Sequence, residues 1–337
     1  MTKYDIVTIG DASEDIFVKP HTFDIESSRR YASGKSVSFE LGEKISLEHA
    51  FYDIGGSACN TAVSFNRLGY NTAIITAIGD DSPSEKILER LRIEGVDEAQ
   101  VIKKHDVQTN FSIIFNLGDE RTIFVCHGVS DYSVLKPKKN LKTKWFFVCP
   151  MGENTEEVEK DLISMASEKG TKIAWNPGSL QIEKGVSKYR ALLKCVSILI
   201  LNREEAIKFS NYPVRPRVEE IAKSLHALGP RIIIVTDGKE GAYAFDGVRS
   251  YRIEAMNRER VDATGAGDSF ASAFVAKFLD SKDADFSDQY KISEALKAGI
   301  VNSTSVVRII GAQGGLLPKS ELEAQVAENP RMVVEIY

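Results

Sequence analysis

No stretch of this chain approaches the run of about 20 apolar residues that a membrane-crossing helix needs, so nothing in it reads as a span. Cysteine is scarce. The four present, Cys59, Cys126, Cys149 and Cys195, lie far apart in apolar surroundings without a CxxC pair, and read as buried free thiols of a reducing cytoplasm. An excess of positive charge is missing too. The formal net charge of −5 argues against nucleic-acid binding, and the lysine-rich stretch from Lys136 to Lys144 around Pro137 reads as a solvated loop. A dinucleotide-binding oxidoreductase would carry GxGxxG after its first strand. Gly10-Asp11-Ala12-Ser13-Glu14-Asp15 stands there instead. There is no internal repeat and no low-complexity tract. The start, Met1-Thr2-Lys3-Tyr4-Asp5, passes at once into a strand and does not read as a signal peptide.

What is present describes a globular protein with a large core: 337 residues, 43% hydrophobic and 27% charged. Asp5–Gly10 is a short apolar run ending in glycine, as in a buried parallel strand. From residue 127 onward strands and helices alternate. Strands are expected at 145–149, 172–175, 196–201 and 231–235, with helices near 156–169, 217–228 and 290–309. This rhythm implies a parallel sheet with helices on both faces. Two segments break it. Residues 17–53 are polar and alternate at Ser36-Val37-Ser38-Phe39-Glu40-Leu41. Residues 101–126 contain two strands around a Gly118-Asp119 turn, a hairpin signal. The expectation is a main α/β domain of residues 1–16, 54–100 and 127–337, covered by a small β-sheet lid of residues 17–53 and 101–126.

The most informative stretch is Asp262-Ala263-Thr264-Gly265-Ala266-Gly267-Asp268-Ser269-Phe270. Phe270, Ala273, Phe274 and Phe278 recur at helical spacing, so a glycine-rich turn opens directly into a helix. Amides at such a helix start form an anion site. A carboxylate beside it calls for a reason. Either Asp268 takes a proton from a hydroxyl while Gly265, Ala266 and Gly267 hold a transferring phosphoryl group, or Asp268 caps the helix and the glycines shape a turn. The segment alone leaves both open. A second small-residue helix opens at Gly55-Gly56-Ser57-Ala58-Cys59-Asn60 and places Asn60 in its first turn, where an amide suits sugar hydroxyls. Polar residues also collect at strand ends: Asp11 and Asp15, Asn176, Asn202 and Glu205, Thr236 and Gly238. In an α/β sheet these ends form one cleft, which favours the phosphate reading.

These motifs resemble those of the ribokinase-like (PfkB) carbohydrate kinase family, over nearly the whole chain. Gly55 to Ala62, with Gly69 and Gly79, resembles the family's N-terminal signature. Asp262 to Asp268 resembles the C-terminal one, with Ala263 where threonine is usual. Asn202-Arg203-Glu204-Glu205 matches NxxE, and Thr236-Asp237-Gly238 with Gly241 resembles the nucleotide-phosphate loop. The resemblance implies an α/β fold of the ribokinase-like three-layer α/β/α kind, with a largely parallel sheet and a small β-sheet lid. It implies ATP and Mg²⁺ as cofactors and Asp268 as base, with an anion hole at Gly265, Ala266 and Gly267. Asp11, Asp15, Gly55, Gly56 and Asn60 would bind the acceptor. Asn202, Thr236, Gly238, Gly241, Thr264 and Asn302 would contact the nucleotide, with Gly299 near the adenine, and Glu205 would act on Mg²⁺ through water. Asp262 and Thr264 would hold a monovalent cation; Ile309-Ile310-Gly311-Ala312-Gln313 lacks the arginine of ribokinases, which leaves K⁺ dependence open. The implied acceptor is a small sugar, with a nucleoside as alternative; Ser57 stands where ribokinases carry lysine, as in adenosine-kinase-like members. A homodimer through the lid, a cytoplasmic location, and no nucleic-acid or membrane partner complete the expectation. A non-catalytic sensor on the same scaffold would lack the base or the NxxE acid, and both are present.

Overall fold

The computed structural model describes residues 3–31, 34–117, 120–138, 140–212, 216–279 and 285–337. The Gly118-Asp119 turn lies outside the described residues. In chain order the strands are β1 (Tyr4–Ile9), β2 (Ser13–Pro20), β3 (Asp24–Ser27), β4 (Lys35–Ser38), β5 (Leu47–Gly55), β6 (Thr72–Ile78), β7 (Asp97–Lys103) and β8 (Asn110–Leu117). They continue with β9 (Glu120–Cys126), β10 (Thr143–Val148), β11 (Lys172–Trp175), β12 (Ile198–Asn202), β13 (Ile232–Thr236), β14 (Ala242–Phe245), β15 (Ser250–Ile253) and β16 (Val334–Ile336). The helices are α1 (Ser57–Arg67), α2 (Ser82–Ile93), α3 (Glu156–Lys169), α4 (Ser179–Lys188), α5 (Arg190–Leu193), α6 (Arg203–Ser210), α7 (Val218–His226), α8 (Ala266–Leu279), α9 (Gln289–Val306) and α10 (Lys319–Glu328).

A ten-stranded sheet runs in the order β16-β15-β14-β13-β12-β11-β10-β1-β6-β7. From β13 to β7 every pairing is parallel. Its strands read as continuous apolar runs because both faces are covered. Successive side chains enter different cores: Ile6, Phe147, Ile198 and Ile232 on one side, Val7, Phe146, Leu199 and Ile233 on the other. The first core is closed by α1, α2, α8, α9 and α10, the second by α3 to α7. This is the three-layer α/β/α arrangement. The rhythm stops at β13, beyond which β14, β15 and β16 pair antiparallel. No helix among the described residues is long and apolar enough to cross a membrane.

The small sheet has the order β5-β2-β8-β9. Two of its strands, β2 and β5, overrun the expected boundaries. Ser13–Ile16 and Ile54–Gly55 already belong to it, because the chain turns out of β1 within three residues. Val101–Lys103, expected in this sheet, instead finish β7 on the edge of the large one, parallel to β6 after the α2 crossover. The alternating stretch at Ser36 pairs only with β3, as a separate two-stranded ribbon.

Candidate active site

The site is built around the start of α8. Asp262 is buried, and its Oδ1 accepts from the N–H of Thr264 at 3.0 Å and from the Thr264 hydroxyl at 2.8 Å. Its Oδ2 accepts from the Gly311 N–H at 3.1 Å, which ties the turn to the loop after α9. Between them Gly265 has φ +75°, and a Cβ there would meet that of Ala312 at 2.6 Å, so only glycine closes the turn. The N–H of Ala266 leans back on the Ala263 carbonyl at 3.3 Å. Gly267 faces open space, so an anion can approach the positive end of α8 there.

Asp268 follows, half-buried, at the meeting of α8 with α1. Gly56 opens α1 at φ +85°, where a Cβ would meet the Ala12 Cα at 2.5 Å. This close approach lays the helix start on the β1–β2 connection. The N–H of Ser57 donates to Asp11 Oδ1 at 3.0 Å, and that of Ala58 donates to the Asp11 carbonyl at 3.2 Å. One turn on, Asn60 Nδ2 donates to Asp268 Oδ2 at 2.9 Å. Asp15, on β2, lies buried with its Oδ1 accepting from the Ser13 hydroxyl at 3.1 Å.

Burial raises all three carboxylates. Burial, then the field of Asp268, pushes Asp11 up to about 7. Burial pushes Asp15 up to about 6, against hydrogen bonds from Ser112 and Ser13. Asp268 is raised by burial and held back by hydrogen bonds from Asn60 and Ser57. Asp53, on β5, is raised by burial and relieved in part by Arg90, whose Nη2 lies 3.3 Å from Oδ1.

Asn202 and Glu205 cap α6 reciprocally. The Glu205 N–H donates to Asn202 Oδ1 at 2.9 Å, and the Asn202 N–H donates to Glu205 Oε2 at 2.8 Å. Burial raises the Glu205 carboxyl, and Asp268 adds to the effect, so the NxxE acid lies within the field of the carboxylate on α8. Among the described residues no three acidic, histidine or cysteine side chains converge as a metal cage. A hard divalent ion here would keep water and nucleotide oxygens as ligands.

On the other side of the α8 start, Thr236, Gly238 and Gly241 line a cleft with Gly267, Phe270, Ile300 and Ser303. Arg258 and Arg260 reach into it, and Arg121 and Lys239 line the adjoining space. Charge is therefore divided about the helix start: Asp11, Asp15 and Asp268 gather on the inner side, towards α1 and β2, while Arg258, Arg260, Arg121 and Lys239 outnumber Glu259 and Asp262 along the outer cleft and the space beside it.

Two expected residues lie elsewhere. Asn302 is fully buried, donates to the Ser269 carbonyl at 2.9 Å and accepts from the Leu317 N–H at 3.1 Å. It clamps α8, α9 and the following loop and is not among the residues lining the cleft beside Thr236, where Ser303 and Thr304 of α9 are. Gly299 packs under the Phe270 ring, which a Cβ would meet at 2.7 Å; it serves the α8–α9 contact.

A family model described as pfkB family carbohydrate kinase matches residues 25–319. The chain belongs to that family. PfkB members are phosphotransferases with a hydroxyl acceptor, and this one is a sugar or nucleoside kinase of ribokinase type. It is 26% identical over 319 residues to a ribokinase of Staphylococcus aureus (strain COL), covering 92% of this chain and 96% of that protein. The structure of Arabidopsis thaliana ribokinase complexed with ribose and ATP superposes with a TM-score of 0.77 at 20% identity, over 97% of this chain and 99% of that one. A nucleoside kinase of Methanocaldococcus jannaschii, an archaeal member of the ribokinase family, gives 0.76 at 18%, over 97% and 100%. At such identities the structures speak for the fold.

Three residues of this PfkB site escape a reading of the sequence. Arg121, on β9, brings its Nη1 to 3.7 Å from Asp262, and nothing local marks a hairpin arginine as a neighbour of a turn so distant in sequence. Gln313 donates from Nε2 to Asn60 Oδ1 at 3.1 Å. Phe51 shares a face of the small sheet with Asp15, since Asp15 pairs with Asp53 and Phe17 with Phe51; only the register reveals this.

Proposed function

We propose that this kinase transfers the γ-phosphate of ATP to a hydroxyl, a hydroxymethyl by preference, of a small neutral sugar, with Asp268 as base. The observation that carries this reading is the charge polarity of the cleft about the start of α8. The basic outer end, with Thr236, Gly238 and Gly241, suits a polyphosphate. The inner end offers acceptors in excess of donors, which suits several hydroxyl groups and repels an anion. Bound ATP with Mg²⁺ supplies the phosphoryl group and screens its charge.

The residues of the chain do the rest. Asp11, Asp15 and Asn60 hold the acceptor hydroxyls, with Gly55 and Gly56 giving them room. Asp268 accepts the proton of the attacking hydroxyl. Gly265, Ala266 and Gly267 direct amide dipoles at the phosphoryl group. Thr264 holds the turn through Asp262. Asn202 and Glu205 would help hold Mg²⁺ beside the phosphates, through water. Arg121 already places a cation at Asp262, the residue expected to help hold K⁺, so the reading includes no K⁺ requirement. The small sheet serves as the lid.

A nucleoside acceptor is the second reading, and one observation favours it. Phe51, Ile123 and Val125 lie exposed on the small-sheet face that carries Asp15, an apolar cover broad enough for a base. ATP turnover against ribose, fructose and adenosine tests the reading. Sugar-dependent ADP formation supports it, adenosine-dependent turnover alone replaces it with the second, and no acceptor-dependent turnover overturns both.

A further inference from the structure

The two amides behind Asp268 form a chain whose direction is set by charge. An ionised carboxylate only accepts hydrogen bonds. Asn60 therefore turns its Nδ2 to Asp268, at 2.9 Å, and is left with Oδ1 pointing away. That oxygen receives Gln313 Nε2 at 3.1 Å. Gln313 is fully buried, and its own Oε1 ends the chain without a hydrogen-bond partner among the described residues. A buried amide acceptor left bare is costly. Here the opposite orientation of Gln313 would set its oxygen against Asn60 Oδ1. The backbone of Gln313 is held independently: Arg67 Nη1 donates to its carbonyl at 2.9 Å and to that of Leu316 at 3.0 Å, while Arg67 Nη2 pairs with Glu94 at 2.6 Å.

We propose that Gln313 is a positioning residue for the base: by donating to Asn60 it fixes which end of that amide Asp268 sees. The inference rests on the assignment of Asp268 as base. Gln313 lies behind Asn60 and acts only through it. The titratable and polar groups about Asp268 come from several elements: Ser57 and Asn60 on α1 hydrogen-bond it, and its own charge reaches Asp11 after β1, Cys149 after β10 and Glu205 on α6. Of these, the hydrogen bonds of Asn60 and Ser57 favour the ionised form of Asp268, and the Asn60 bond is the one Gln313 controls. Without that control Asn60 is free to rotate and present its oxygen to Asp268.

The test uses Gln313→Met, which keeps most of the volume without a donor, and Gln313→Glu, which is isosteric and places an acceptor where the donor was. The titration of Asp268 is followed in the apo protein by carboxyl ¹³C NMR, assigned with Asp268→Asn, and the pH profile of kcat/KM is recorded alongside. The expected result is a midpoint and an acid limb both raised by roughly half to one pH unit in Gln313→Met, and further in Gln313→Glu. Below the limb the rate falls about three- to tenfold with KM for ATP unchanged. An unmoved midpoint in a folded variant overturns the proposal and leaves Gln313 as loop packing. A raised midpoint with an unmoved acid limb upholds the positioning role and overturns the base assignment instead. Should Gln313→Met fail to fold, the isosteric Gln313→Glu carries the same two readouts.

Discussion

Asn60 and Asp268, 208 positions apart in sequence, meet in a hydrogen bond of 2.9 Å that joins the starts of α1 and α8. Two helix N-termini thus converge on one carboxylate, and the bond favours its ionised form. Asn60→Leu removes the donor, so the carboxyl of Asp268 rises further. The acid limb of kcat/KM should move to higher pH, and the rate at pH 6 should drop about tenfold or more. A pH–rate profile checks this; an unchanged acid limb would detach Asn60 from the base.

Glu205 stands in the field of Asp268 and spends one oxygen on capping α6. Glu205→Gln keeps a cap acceptor but loses the charge. The magnesium needed for half-maximal rate should rise several-fold, with KM for the acceptor nearly unchanged. A magnesium titration at saturating ATP decides, and an unshifted curve returns Glu205 to capping alone.

Asp15 and the lid aromatics should separate cleanly. Asp15→Ala should abolish acceptor binding in calorimetric titration with ribose and fructose. Phe111, Phe115 and Phe124 lie on the opposite face, with Phe115 and Phe124 edge to face at 5.2 Å. Phe111→Ala and Phe124→Ala should therefore lower the melting temperature by a few degrees and leave binding intact. Phe51→Ala is the discriminating variant: selective loss of adenosine binding there would move the acceptor to a nucleoside.

Stability should fall as pH rises toward neutrality. Asp11 and Asp15 are raised from the ordinary 3.8 to about 7 and about 6, so the folded protein holds these protons more tightly than the unfolded chain. Their contribution is complete below about pH 4 and is lost as pH climbs through 6 and 7. Asp11→Asn cannot ionise and should gain on the wild type as pH rises from 5 to 8. Melting curves of the ligand-free proteins across that range measure the difference; a gap independent of pH would contradict the burial of these carboxylates.

The parts of the site that were legible are those written locally. The turn at 262–268, the capping pair Asn202 and Glu205, and the βα rhythm each depend on neighbours within a few residues. What was illegible depends on register or phase. α9 is buried on several sides, from Ile292 through Asn302 to Val306, so its periodicity does not say which residue looks into the cleft; Ser303 and Thr304 line it, whereas Asn302 is buried between α8 and the loop after α9. The faces of β2, β5 and β8 follow from pairing, which no single strand records, hence Phe51. Gln313 and Arg121 reach the site from loop and hairpin positions through contacts that are long-range in sequence, to Asn60 and Asp262.

The most direct measurement of the central claim is the single-turnover rate of Asp268→Asn with ATP, Mg²⁺ and the sugar acceptor, set beside its affinity for ATP. Loss of the base should reduce phosphoryl transfer by about 10²–10⁴-fold with ATP binding nearly intact. Near-normal transfer in the variant would contradict the account and remove Asp268 from the base role.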